Sequence, residues 1–164
     1  SETFTATSAP IQYAAVTAFD GGPFMEDYLA RARKVLKAIL KYIMVRFDKL
    51  HISYPHPQGA FYIFPDFAYY TDKLSEKGIF TGKQLCEKIL EDTGVAMLPG
   101  ADFGRPPGEF SARIAYVDFD GAEAMHAADE LFCDERNNHE HFVQIHCPKI
   151  VTAVDRLGSW LNEL

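Results

Sequence analysis

Arg113 lies in the run FSARIAYVDFDG, flanked by Ala112 and Ile114, where the neighbouring residues otherwise read as a strand. A guanidinium is permanently charged, and placing it among apolar residues is costly unless an anion meets it. Its planar fork suits a carboxylate, which it can hold through two parallel hydrogen bonds. Strand alternation puts Arg113 on one face with Ala115 and Val117 and turns Ile114 and Tyr116 to the other. The small neighbours leave room for a ligand. Either one of the 23 acidic residues answers Arg113 from inside the chain, or a bound carboxylate does. The residues alone leave both readings open.

Other chemistry-bearing residues form weaker patterns. His139, His141, His146 and Cys147 in NNHEHFVQIHC are competent metal ligands, but no C-x2-C or H-E-x-x-H spacing joins them. CDERNNHEH reads as a polar loop, and no metal site is expected. DFDG at 118–121 brings its glycine too early for a calcium loop, so helix capping is the reading there. Gly100, Gly104 and Gly108 precede no Lys-Ser/Thr and open no helix, as a phosphate loop would. No G-x-S-x-G marks a serine nucleophile. Cys86, beside Leu85 and near Ile89 and Leu90, reads as a buried structural thiol. Lys34, Lys37, Lys41, Lys83 and Lys88 read as solvated helix faces, and no residue is nominated as catalytic.

The elements that must position Arg113 follow from periodicity. Ser8 and Pro10 open a short apolar helix that Asp20-Gly21-Gly22-Pro23 stops. From Phe24 to Leu50, apolar residues recur in three- and four-residue steps, predicting an amphipathic helix about 40 Å long. HISYP and GAFYIFPDF are β-rich, with a proline-bent connection between them. Thr81 and Gln84 form a capping box for a helix that ends at Gly94. VAMLPG is a short strand and ARIAYV an interior one. Asp120 and Glu123 cap a helix to about Phe132, and an amphipathic helix runs from Pro148 to Leu164. The order predicts an α/β (α+β-like) fold with a small mixed β-sheet flanked by helices.

Composition excludes some functions. A net charge of −7 argues against nucleic acid or anionic membranes as partners, and the cluster RARK lies on a helix with acidic neighbours. No apolar run approaches the roughly 18–20 residues of a membrane span. SETFTATSAP is no signal peptide. Cys86, Cys133 and Cys147, odd in number and without CxxC spacing, read as reduced thiols of a cytoplasmic protein. A first residue of serine rather than methionine suggests a fragment.

Four ordered stretches carry a family resemblance: PQGAFYIFPDF, LCEKILEDTGVAMLPGADFG, ARIAYV and SAPIQYAAVTAF, with CPKIVTAVDRLGSWL similar to a closing helix of some members. Together they resemble the C-terminal small domain of class I/II aminotransferases, fold-type I enzymes that use pyridoxal 5'-phosphate (PLP). The resemblance implies that Arg113 holds the substrate α-carboxylate and that Phe61 is an aromatic near the substrate. Gly94, Pro99, Gly100 and Gly104 match turn-shaping positions. It further implies a linking segment over residues 1–23 and the small domain over 24–164. The PLP-binding domain and its lysine are then expected outside this chain, so no cofactor is expected on the chain alone and the fragment is expected to be inactive. The intact enzyme would be a homodimer exchanging an amino group between an amino acid and a 2-oxo acid. The alternatives are a PLP lyase or synthase on the same fold, and a non-catalytic domain binding a carboxylate or a partner.

Overall fold

In the computed structural model, residues 7–132 and 138–164 are described. Helix α1 (Ala9–Phe19) follows Ser8, whose side chain makes no capping bond. Pro23 opens α2 (Pro23–Lys49), which buries Val35, Ala38, Ile39, Tyr42, Ile43 and Phe47. That stripe is the three- and four-residue spacing read from sequence. Residues 23–34 of α2 and all of α1 contribute no buried residue, leaving Ile11, Tyr13, Val16, Phe19, Phe24 and Tyr28 exposed.

Three short strands follow, β1 (Tyr62–Ile63), β2 (Leu98–Pro99) and β3 (Ala112–Ala115), ordered β1-β3-β2. Tyr62 pairs with Ala115 and Ile63 with Ile114. Leu98 pairs with Arg113 and Pro99 with Ala112. Both pairings are antiparallel, so the expected mixed sheet is corrected. The reason is that β2 returns to β3 through a turn and loop, without the crossover helix a parallel pair needs. The β1 register continues beyond the named strand. Tyr116 N–H donates to the Phe61 carbonyl, Ala112 N–H to Pro65 and Phe67 N–H to Phe110, at 2.9–3.1 Å. ARIAYV is therefore central, as expected, while HISYP contributes only the Ser53–Asp66 bridge.

Alternation separates the sheet's faces. Ile63, Met97, Ala112 and Tyr116 join the core with α2, α4 (Gly82–Thr93), α6 (Asn138–His146) and α7 (Pro148–Asn162). The opposite face carries Tyr62, Leu98, Arg113 and Ala115, all exposed or half-buried. Two capping expectations hold. Thr81 Oγ1 accepts from Gln84 N–H at 3.2 Å, and Gln84 Oε1 accepts from Phe80 N–H rather than from the cap itself. Asp120 accepts from Glu123 N–H at 3.0 Å and opens α5 (Gly121–His126), after which the chain tightens to a 3₁₀ helix over Ala127–Phe132.

Two helices depart from the sequence reading. Helix α3 (Thr71–Glu76) has no side-chain cap; it is held by fully buried Leu74 and by Tyr70 just before it, whose hydroxyl donates to the Leu50 carbonyl. Of the loop expected over 133–141, residues 138–141 belong to α6 and the rest lie outside the described residues. Glu140, His141 and Gln144 face outward while Phe142 and Val143 are fully buried, and Glu140 pairs with Arg46 of α2 at 2.6 Å.

Gly82 opens α4 so close to the β2–β3 loop that an added Cβ would stand 2.5 Å from the Glu109 carbonyl oxygen. Alanine ordinarily favours a helix over glycine. Here Gly82→Ala is expected to destabilise the fold by about 1–3 kcal/mol through overpacking. Urea unfolding checks this, and a variant as stable as the parent contradicts it.

Candidate carboxylate site

Arg113 rises from the centre of β3 onto the open face, half-buried. Its Cζ lies 4.4 Å from the centroid of the Tyr62 ring and 4.1 Å from that of Phe103. Tyr62 arrives by sheet register, since its partner Ala115 is two residues along β3 on the same face. Phe103 arrives by a 3₁₀ turn, Gly100–Phe103, that ends at Gly104 with φ +81°. The turn is fastened to β3 by the Gly100 N–H, which donates to the Ser111 carbonyl at 2.7 Å. A Cβ on Gly100 would collide with Ser111 Oγ, so the close approach requires glycine.

Arg31, Arg46 and Arg105 each engage a carboxylate, at 2.6–3.0 Å. Arg113 engages none among the described residues. Ring faces attract the cation but do not neutralise it, and they leave its N–H edge able to donate. The arrangement can therefore hold an anion with a planar pair of acceptors. Phe61 is exposed, with its ring 4.4 Å from Tyr62, so it stands one ring away from the guanidinium. The stacking residues, Tyr62 and Phe103, are ones the sequence reading did not nominate. Tyr62 follows from pairing GAFYIF with ARIAYV, whereas nothing local in GADFG shows that its phenylalanine folds back over β3.

The family model described as "Aminotransferase class I and II" matches residues 1–131, and the chain belongs to that family. An aspartate aminotransferase of Pinus pinaster is 32% identical over 71% of this chain and 24% of its own length. An aspartate/prephenate aminotransferase of Cereibacter sphaeroides is 32% identical over 66% of this chain and 26% of its own length. An aromatic aminotransferase structure from Pyrococcus horikoshii superposes with a TM-score of 0.59 at 26% identity, over 93% of this chain and 31% of that one. The fold is thus that of fold-type I aminotransferases, and the chain spans about a quarter of the length of these curated relatives.

The remaining candidates fall to structural roles. Among the described residues no three His, Cys, Asp or Glu side chains gather as a metal site; Cys133 lies outside them. Asp118 pairs with Lys149 and Asp120 caps α5. Burial, reinforced by nearby acidic groups, pushes the Cys86 thiol up to about 12 and Cys147 up to about 11, so neither supplies a thiolate. No described helix is long and apolar enough to cross a membrane.

His139 is buried enough to matter for stability. Its Nε2 lies 3.1 Å from Lys41 Nζ, and its Nδ1 is buried without a hydrogen-bond partner. Burial first, then the Lys41 and Lys37 charges, hold the imidazole below its ordinary value. The unfolded chain then binds the proton more readily, so stability is lost as pH falls from about 6.5 toward the lowered native value. The urea midpoint is expected to be lower at pH 5.5 than at pH 7.5, with the difference reduced in His139→Phe. An equal pH dependence in both proteins contradicts this.

Proposed function

We propose that this chain is the C-terminal part of an aminotransferase and that Arg113 holds the α-carboxylate of both its amino acid and its 2-oxo acid. The observation that carries the reading is a permanent cation, central in the sheet, flanked by aromatic rings and without a carboxylate partner among the described residues. Both substrates present the same carboxylate, so one clamp serves both directions of the exchange. Bidentate pairing fixes the plane of the carboxylate and thereby the orientation of the adjoining Cα. Phe61 shapes the outer wall by bracing Tyr62.

PLP, implied by the family, supplies an electron sink for bonds at Cα when it is bound. The residues grouped on this face, Arg113 with Tyr62, Leu98 and Phe103, include one cation and no amine to bond an aldehyde. They do not fit the cofactor's own anchorage, which we assign to the rest of the enzyme. Residues 1–23 are the linking segment and 24–164 the small domain, in keeping with an α1 that buries none of its residues against the rest. The exposed apolar side chains of α1 and early α2 are in keeping with an intact enzyme that covers them with further protein, including a second subunit. The free, buried Cys86 and Cys147 suit a cytoplasmic enzyme.

In the intact protein, Arg113→Lys keeps the charge and loses the fork. It is expected to lower kcat/KM for both substrates by roughly ten- to a hundredfold, the worth of one lost charged hydrogen bond, with the thermal midpoint retained. Unchanged kinetics overturn the assignment, and so does a loss explained wholly by unfolding.

A further inference from the structure

We propose that Tyr62 and Phe103 are positioning residues that set the plane of the Arg113 guanidinium, an inference that rests on the carboxylate reading above. Four rings and one cation form a continuous array. Phe61 lies against Tyr62 with centroids 4.4 Å apart, and Tyr62 lies 4.4 Å from Arg113 Cζ. Phe103 lies 4.1 Å from Cζ and meets Phe64 edge-on at 6.1 Å and 81°. Each ring touching the cation is thus braced by a second ring from β1 or its flanks. The β1–β3 register places Phe64 directly opposite Arg113.

This arrangement solves a problem specific to a clamp. An arginine side chain is long and flexible, and a fork must already stand in the right plane for both of its hydrogen bonds to form together. A carboxylate partner inside the chain would fix the plane but occupy the fork. Two aromatic rings against the guanidinium restrain it without accepting its N–H bonds as a carboxylate would. They also exclude water from its flanks, which strengthens the bonds that the edge makes. The two rings come from separate segments, β1 and the turn after β2, so the plane is defined only when the sheet is assembled.

The test uses the intact protein, with propionate and its neutral isostere propionamide as competitive inhibitors. Their affinity ratio reports how well the fork reads a carboxylate, and loss of general packing would not move it selectively. Phe103→Leu and Tyr62→Leu are each expected to reduce the propionate-over-propionamide preference at least fivefold. They should raise KM for the 2-oxo acid with kcat changed less than threefold, while Phe103→Tyr and Tyr62→Phe restore the parent preference. If both leucine variants keep the preference while Arg113→Lys loses it, the positioning role is overturned and the clamp stands. If Arg113→Lys also keeps it, the carboxylate reading fails and this inference with it. Should a leucine variant not fold, its conservative partner decides: a preference lost in Phe103→Tyr or Tyr62→Phe, where the ring is retained, contradicts stacking as the cause.

Discussion

The structure turns on a positive charge held in the middle of a three-stranded sheet with no counter-ion from its own described residues. Such a charge is tolerable because the face it occupies is not sealed. Arg113 is half-buried, and its guanidinium lies over two aromatic rings. Cation–ring contacts offset part of the desolvation of a guanidinium, on the order of 0.5–2 kcal/mol each. They do so without cancelling the charge. A cation held this way keeps its charge and can still attract an anion.

The rest of the fold supports that compromise. The other face of the same sheet joins the core that α2, α4, α6 and α7 also line, where Ile63, Ala112 and Tyr116 share one cluster with fully buried residues such as Phe47, Leu85 and Leu161. One face packs into the core and the other carries Arg113 among exposed or half-buried residues, an asymmetry that strand alternation makes available in an antiparallel sheet. The glycine at 100 matters on this argument because it lets the Phe103 turn lie directly against β3. The capped start of α4 and its tight contact with the β2–β3 loop hold that loop from the other side.

Much of this was legible in the sequence where the signal is local or periodic. The stripe on α2, the boxes at Thr81 and Asp120 and the left-handed stop at Gly94 follow from residue types alone. Arg113 stood out because a charge in an apolar strand demands an explanation. What was not legible depends on distant partners. Helix α3 has no cap and exists through the burial of Leu74; α6 looks polar because only Phe142 and Val143 among its central residues turn inward. The ring that meets Arg113 was not legible either: Tyr62 makes that contact, and Phe61, expected as an aromatic near a substrate, lies against Tyr62. A strand's face is decided by register with its partner, and a slip of one residue reverses it.

The central claim is that the Arg113 fork is unoccupied from within and receives a carboxylate from outside. The most direct measurement is the Nε–Hε resonance of Arg113 in the intact, ¹⁵N-labelled protein, assigned by its loss in Arg113→Lys and followed as a carboxylate is added. The account predicts a resonance that moves downfield saturably with propionate and stays in place with propionamide. A resonance already downfield in the free protein and indifferent to propionate would mean that an internal carboxylate holds the fork, and would contradict it.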